Sequence, residues 1–250
     1  MPTKLTELEG YVLSSSKYGE KDAIISLLTK EGKISIKVPS GYDVKSKNHL
    51  STLIFNKVHI DCMELSSSFL VALQTKTLIN YTSTYEDLKK SLAIQVANEL
   101  LIKFFQDRDR EIPYLYYEKF LEGVNEGFDT LTLVLIFTSS VIRYLGYEPE
   151  TGGCVNCGKK NNIISFSWDE GGYLCSHCAQ ELMTRKEDNN YLKVLRYIFM
   201  VDEMRMKKTQ LPEASCLRVL EEERHFLFEQ LSTEIKSLDM YLENRKKGNK

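Results

Sequence analysis

The sequence predicts an α+β protein with a β-barrel over its first eighty residues and helices over the rest of its 250 residues. Three observations lead to this fold class. Apolar residues alternate with a period of two up to about residue 80, and from there they recur every three or four residues. Two Cys-x-x-Cys pairs interrupt the helical pattern between residues 152 and 178. A change from strand to helix period along one chain is typical of an α+β protein.

Five short apolar runs form the predicted barrel. NKVHIDC (56–62) alternates so that Val58, Ile60 and Cys62 point inward, and KISIKV (33–38) alternates in the same way. The other three runs are GYVLSS, AIISLLT and FLVALQTKTLIN. Five short strands with one long polar loop fit a small Greek-key barrel of the OB type. Periodicity alone also fits a two-sheet sandwich.

Helices are predicted after the barrel. Ser83 or Thr84 is expected to cap the first helix, and Pro113 to open the second. Asp129 is expected to open a third helix that ends at Gly146. This third helix contains the most apolar window of the chain, which is too short to span a membrane and carries a charge, so we expect a buried core helix.

The C-terminal part is also expected to be helical. The pattern predicts helices over 191–201 and from about Glu213 to Leu242, separated by Pro212. The acidic run Glu221–Glu223 is interpreted as a solvated helix face, because consecutive helical positions point in different directions. The final residues, NRKKGNK, are expected to form a disordered charged tail.

Composition excludes few classes of function. The net charge of −2 does not indicate a nucleic-acid binder by itself. Residues 30–57 carry six lysines and two acids, a modest local excess that fits either a nucleic-acid-binding loop or an ordinary solvated one. Because the N-terminus has no secretory pattern, we expect a cytoplasmic protein that does not enter membranes and has reduced thiols.

The strongest motif is the pair of Cys-x-x-Cys turns at Cys154, Cys157, Cys175 and Cys178, with seventeen residues between the turns. This spacing predicts a zinc ribbon with one zinc ion per chain, in which IISFSW and GGYL form a hairpin that folds one turn onto the other. Four thiolates leave no open coordination position, so the zinc is expected to be structural and not catalytic. His177 is a possible substitute ligand, although an exposed position is the simpler interpretation.

The two remaining cysteines are not expected to bind the metal. Cys62 lies on the apolar face of a predicted strand and is interpreted as a small core residue. Cys216 lies near the start of a predicted helix, with no histidine nearby in sequence except His225. The sequence has no phosphate-binding glycine loop, nucleophile elbow or HExxH motif.

Four sequence blocks carry a resemblance to a known family. They are EGYVLSSSKYGEKDAIISLLTKEGKISIKV, LGYEPETGGCVNCG, FSWDEGGYLCSHC and LFEQLSTEIKSLDMYL. Taken in order, they resemble the bacterial DNA repair and recombination mediator family RecO, and the last block is similar to the family's terminal helix. The blocks extend over nearly the whole chain. The joining of the N-terminal block to a glycine–cysteine block in one chain makes the resemblance specific.

The resemblance implies an OB-fold barrel (1–80), a helical domain (81–150), a zinc ribbon (151–182) and C-terminal helices that pack with the helical domain (183–250). It also implies a protein without catalytic residues that binds single- and double-stranded DNA and anneals strands. The implied protein partners are RecR, the C-terminal tail of single-stranded-DNA-binding protein and, indirectly, RecA. The implied location is the cytoplasm, in association with the nucleoid.

The candidate DNA-binding residues are Lys37, Tyr42, Lys45, Lys47 and Lys57. The family commonly has K-G-x-R-x-x-K-S-R in the loop after the third strand, where this chain has PSGYDVKSKNHL. The KSK part matches, whereas a proline, a tyrosine and an aspartate occupy positions that are commonly basic or glycine. The tyrosine is suited to stacking on a base.

Three functions remain open from sequence. A DNA-binding recombination mediator is the leading hypothesis. An interaction scaffold of the same pathway, with its DNA contact supplied by RecR, is the alternative that the acidic balance of the chain favours. A zinc hydrolase ranks third, because it requires an open position on the metal.

Overall fold

The computed structural model describes residues 5–65, 69–106, 109, 111–201 and 208–248. The chain separates into two compact units, which we call the barrel unit and the helical unit. The barrel unit comprises Met1–Ile94 and Leu101–Glu118. The helical unit comprises Gln95–Leu100 and Lys119–Lys250.

Five strands close the predicted barrel. They are β1 (Leu5–Tyr18), β2 (Asp22–Thr29), β3 (Gly32–Val38), β4 (Lys57–Leu65) and β5 (Phe69–Ile79). Their order is β1-β2-β3-β5-β4, and β4 pairs back onto β1. Neighbours are antiparallel except β3 and β5, which run parallel. Closure removes the exposed edges that a sandwich would keep, and confirms the predicted OB-type barrel.

The barrel interior follows the alternation in the sequence. Val58, Ile60 and Cys62 are fully buried as predicted, and Ile36 lies in the same apolar cluster. Gly10 lies where β1 passes close to β2: a Cβ atom there would be 2.2 Å from the carbonyl oxygen of Leu28. No side chain fits this position without moving the backbone, so Gly10 is needed for the barrel to close as it does.

Seven helices occur in the described part of the chain. They are α1 (Leu88–Phe104), α2 (Glu111–Asn125), α3 (Thr130–Tyr144), α4 (Ser176–Glu181), α5 (Asn189–Met200), α6 (Glu213–Leu231) and α7 (Lys236–Gly248). A two-stranded hairpin, β6 (Ile163–Ser167) and β7 (Gly172–Cys175), precedes α4. Short 3₁₀ turns span Leu50–Thr52 and Thr82–Glu86.

The start of α1 differs from the prediction. Asp87 is the N-cap, and its carboxylate accepts the backbone N–H groups of Lys89 and Lys90. Ser83 and Thr84 lie in the preceding 3₁₀ turn, where the Thr84 hydroxyl donates to the carbonyl of Tyr81 instead. An acidic side chain that accepts two amides at once is the better cap.

The later helix boundaries agree more closely. Asp129 caps α3 through the N–H of Thr132, as predicted, and Gly146 follows the helix with a φ of 85°. Pro113 is the third residue of α2 and not the first, because the helix begins at Glu111. Every residue of α3 from 130 to 142 is buried, which confirms a core helix. None of the described helices has the length and apolar composition needed to cross a membrane.

The predicted C-terminal helix is two helices. The tail expected to be disordered is helical over residues 244–248, and its last two residues lie outside the described part of the chain. The chain breaks at Ser232, where φ is 49°, and α7 then continues to Gly248. The side chain of Arg245 is only 11% exposed, since it donates to Thr130 and Tyr241 and pairs with Asp129 at 3.3 Å. These contacts hold the charged end of the chain against the start of α3.

Aromatic packing joins the hairpin to α6. Trp168 directly follows β6, and its ring lies 4.7 Å from that of Phe226 between centroids. The indole nitrogen of Trp168 donates to the carboxylate of Glu222 at 3.3 Å. Glu222 also pairs with Arg218, so it is engaged inside the helical unit.

The prediction that the acidic run on α6 is a solvated face is therefore wrong. Glu223 is fully buried, and Ser139 of α3 donates to its Oε1 at 2.5 Å. Its Oε2 has no hydrogen-bond partner in the described part of the chain. Burial raises the pKa of Glu223 well above its ordinary value, although the Ser139 hydrogen bond works to lower it. The folded state thus favours the neutral acid.

We expect Glu223 to make the protein less stable as pH rises. A carboxyl that is protonated in the folded state and ionised in the unfolded chain lowers the free energy of unfolding above its ordinary pKa, by up to about 1.4 kcal/mol per pH unit. Glu223→Gln keeps the shape and removes the titration. Its melting temperature relative to the unaltered protein should therefore rise between about pH 6 and about pH 9. Glu229→Gln, at an exposed position of the same helix, is the control. If the melting-temperature difference between Glu223→Gln and the unaltered protein did not change with pH, Glu223 would not be a buried neutral acid.

Candidate metal centre and nucleic-acid interface

The four motif cysteines come together in the helical unit. Cys154 and Cys157 lie on a turn in which Gly158 donates to the carbonyl of Cys154. Cys175 is the last residue of β7, and α4 begins at the next residue and contains Cys178. The hairpin predicted between the two pairs is present, and its pairing brings the second pair to the first.

The cluster has the dimensions of a tetrahedral thiolate site. All four Sγ atoms lie within 4.8 Å of one another, and those of Cys157 and Cys175 are 3.7 Å apart. A tetrahedron with Zn–S bonds of about 2.3 Å has edges of about 3.8 Å. Three of the cysteines are buried, and Cys157 is exposed. The four residues can hold one metal ion, and their sulfur donors are those that zinc prefers.

Backbone amides favour negative charge at this cluster. Burial raises the pKa of Cys154, but the N–H groups of Cys175, Cys157 and Asn156 outweigh it and lower the pKa to about 6. The N–H of Cys178 likewise lowers the pKa of Cys175. Burial and the neighbouring thiols raise the pKa of Cys178 to about 12. Ionisation of all four thiols therefore requires a cation among the sulfurs.

The other candidate thiols lie outside this cluster, and the histidine, whose ring nitrogen lies within 4.8 Å of the Cys178 sulfur, is not one of its four ligands. The side chain of His177 is 70% exposed and lies 3.4 Å from the carboxylate of Glu181. Burial raises the pKa of Cys62 to about 11 and that of Cys216 to about 12, which keeps both as thiols. Both are buried, as a structural interpretation requires.

In the barrel unit, the β1–β2 turn and the 39–49 loop are bound to each other. Asp22 accepts the backbone N–H of Ser40 at 2.8 Å, and the N–H of Tyr42 donates to the carbonyl of Lys21. Lys21 also pairs with Asp43 at 3.4 Å. The long polar loop predicted from the sequence is therefore attached to the turn beside it.

Two tyrosines are exposed on this surface, each close to a lysine. The Lys37 ammonium lies 5.0 Å from the ring centroid of Tyr18, and that of Lys17 lies 5.9 Å from Tyr42. The two tyrosine residues are 48% and 49% exposed. Exposed aromatic rings with cations nearby are the groups that single-stranded nucleic acids stack on and pair with.

The loop lysines differ in how far neighbouring carboxylates already neutralise them. Lys37 pairs with Asp22 at 2.9 Å, and this hydrogen bond raises its pKa. Lys45 and Lys47 are exposed, and neither has a carboxylate partner among the residues that the structure describes. These two lysines are the candidate residues best placed for contact with phosphates.

Lys57 is in a different environment from the loop lysines. Its side chain is 15% exposed and lies 3.0 Å from both Glu9 and Glu118, while Tyr11 and Tyr114 also hydrogen-bond Glu118. Burial works to lower the pKa of Lys57, but the hydrogen bonds to the two carboxylates outweigh it and raise the pKa. The cation is thus engaged in a network inside the barrel unit.

The sequence reasoning missed three residues of the surface formed by the turn and the loop. Lys17, Tyr18 and Lys21 lie beside the expected residues only because β1 and the 39–49 loop meet in space. The one available signal was the alternation of lysine and tyrosine in SKYGEK, directly before a predicted strand.

Comparisons with known proteins find the same family in both parts of the chain. A family model described as Recombination protein O N terminal matches residues 1–82, and one described as Recombination protein O C terminal matches residues 85–239. The DNA repair protein RecO of Listeria monocytogenes serotype 4b is 30% identical over 207 residues, which is 80% of each chain. That of Bacillus pumilus is 32% identical over 178 residues, covering 70% of this chain and 68% of its own.

Replacing Cys154 or Cys175 by serine should remove the metal and destabilise the helical unit. A thiolate site contributes its binding free energy directly to folding. We expect zinc well below one ion per chain by elemental analysis, together with aggregation or a lower melting temperature. Cys62→Ser and Cys216→Ser are the matched controls and should each retain one zinc. A Cys175→Ser protein that melts at the same temperature as its parent would refute a structural role for the site.

Replacing Lys57 by alanine should destabilise the barrel unit without changing nucleic-acid binding. The change leaves Glu118 partly buried without its cation, which typically costs about 1–3 kcal/mol. Chemical unfolding followed by tyrosine fluorescence measures the loss. Lys37→Ala, which breaks a more exposed pair, should destabilise less. A stable Lys57→Ala protein with a reduced salt dependence of DNA binding would instead assign Lys57 to the DNA contact.

Proposed function

Because this chain belongs to the recombination protein O family, we propose that it is a non-catalytic mediator of DNA repair. In this proposal it binds single- and double-stranded DNA, promotes annealing of complementary strands, and helps RecR to load RecA onto protein-coated single strands. The observation that carries the DNA-binding part is the turn and loop surface of the barrel, where two exposed tyrosines lie beside lysines.

The chemistry of that surface suits single strands in particular. Every base has a face that can stack on an exposed ring, so Tyr18 and Tyr42 do not select a sequence. Lys45 and Lys47 supply point charges for phosphates, and lysine does not impose the bidentate geometry by which arginine reads guanine. Binding should therefore be largely independent of sequence and strongly dependent on salt.

The four segments expected from the sequence have separate roles in this proposal. Residues 1–80 bind DNA, and residues 81–150 and 183–250 form the helical scaffold. The ribbon, 151–182, holds a structural zinc that organises this part of the chain and takes no part in turnover. We assign RecR, the tail of single-stranded-DNA-binding protein and, indirectly, RecA as partners, and the nucleoid region of the cytoplasm as the place of action.

A second candidate function has one observation in its favour. Three of the lysines in and beside the expected DNA surface, Lys21, Lys37 and Lys57, already pair with carboxylates. Pairing reduces the charge available to phosphates. A scaffold that acts mainly through proteins, with its DNA contact supplied by RecR, would have this property. Binding of labelled single-stranded DNA with and without RecR separates the two functions.

Reversing the charge of Lys45 and Lys47 together should weaken DNA binding. If these lysines neutralise phosphates, Lys45→Glu with Lys47→Glu should weaken binding of labelled single-stranded DNA at low salt. The slope of log affinity against log salt should become shallower by about 1.4, since each of the two phosphate contacts on a single strand accounts for about 0.7. Zinc content and helicity should not change, because both side chains are exposed on the barrel loop.

The matched control carries the same charge change on another element. Lys89→Glu with Lys90→Glu places the new acids in the first turn of α1, where negative charge favours the helix. This control should bind DNA much more like the parent than the loop variant does. Equal binding by the loop variant and the parent would remove the DNA contact from the loop and favour the scaffold function.

A further inference from the structure

A small cavity with a cationic rim lies in the helical unit, where the cysteine ribbon meets α5. Its volume is about 220 Å³. Lys160 lines it from the ribbon, and Lys193 and Arg196 line it from α5. The last two residues are three positions apart and so lie on the same face of the helix. Tyr173 and Leu192 contribute its apolar lining.

Within the part of the chain that the structure describes, no ion pair neutralises the three positive charges of the rim. Lys160, Lys193 and Arg196 are all exposed, and none pairs with a carboxylate in the described residues. Of the described acids near the rim in sequence, Glu187 pairs with Arg185 and Arg218, and two others accept backbone amides. Asp188 accepts the N–H groups of Asn190 and Tyr191, and Glu150 accepts that of Gly152 at 2.6 Å. An anion from outside the chain is therefore the natural partner of this rim.

The size and lining of the cavity limit the kind of anion. The volume is below the roughly 300 Å³ at which pockets for drug-sized ligands begin. The apolar side chains of Tyr173 and Leu192 in its lining are only 4% and 8% exposed, whereas the three cations of its rim are exposed. A small anionic group fits these conditions.

Phosphate fits better than carboxylate. Recognition of carboxylates favours the paired donors of arginine, whereas two of the three cations here are lysines, which bind phosphates as point charges. Three cations from two elements also suit a chain that carries one negative charge per nucleotide. We propose that this cavity, which we call the ribbon pocket, binds backbone phosphates of a nucleic acid as a second contact besides the barrel loop, an inference that rests on the proposed function.

The test compares neighbouring lysines in the full-length, zinc-loaded protein. Lys160 lines the ribbon pocket, whereas Lys159 is equally exposed but does not line it. The variants are Lys160→Gln, Arg196→Gln and, as the matched control, Lys159→Gln. The measurement is the binding of labelled oligothymidylate over a range of salt concentrations. Each pocket variant should lower the salt slope by about 0.7, the value for one phosphate contact on a single strand, and the control should leave it unchanged.

The outcomes separate this inference from the proposed function. If the parent binds DNA with a steep salt dependence but the pocket variants match Lys159→Gln, the ribbon pocket is not a phosphate site and the proposed function stands. If the parent itself shows no salt-dependent binding, the proposed function fails and the inference fails with it. If the pocket variants bind DNA normally but lose binding of a labelled acidic peptide, the pocket serves a protein partner and the phosphate assignment is wrong.

Discussion

Negative charge at the cysteine cluster is the constraint on which the ribbon part of the helical unit depends. Four sulfurs within 4.8 Å of one another cannot all ionise without a cation, since burial and mutual repulsion raise the pKa of Cys178 while amides lower that of Cys154. The turn, the hairpin and α4 are each too short to be stable alone. A metal ion held by the four sulfurs would supply one centre that all three contact, and would account for the defined structure of so short a segment.

In the barrel unit, the charged groups that matter are lysines and the carboxylates that pair with some of them. Lysines there fall into two groups according to whether a carboxylate reaches them. Lys57 is held by Glu9 and Glu118 among tyrosines, whereas Lys45 and Lys47 project from the 39–49 loop. The same residue type therefore serves internal cohesion in one place and is available to a polyanion in another. The near-neutral net charge of the chain conceals this division.

Local patterns were sufficient to predict the barrel, the hairpin and the clustering of the four cysteines, because alternation and Cys-x-x-Cys spacing act over a few residues. The errors arose where tertiary contacts decide. Glu223 looked like part of a polar face, yet α3 covers it, and Arg245 looked like part of a tail, yet Asp129 and Thr130 bind it. The partner of Lys57 is likewise distant, since Glu118 is 61 residues away in sequence. No periodicity in one segment reveals a partner in another.

The packing of Trp168 on Phe226 also has a spectroscopic consequence. Trp168 is the single tryptophan of the chain, which has 14 tyrosines. Its indole lies where the ribbon hairpin meets α6, so its emission reports on that junction alone. Excitation at the red edge of the absorption band selects tryptophan over tyrosine. Loosening of the ribbon can therefore be followed optically while the barrel, which contains no tryptophan, stays silent, and one intrinsic fluorophore reports the melting of the helical unit alone.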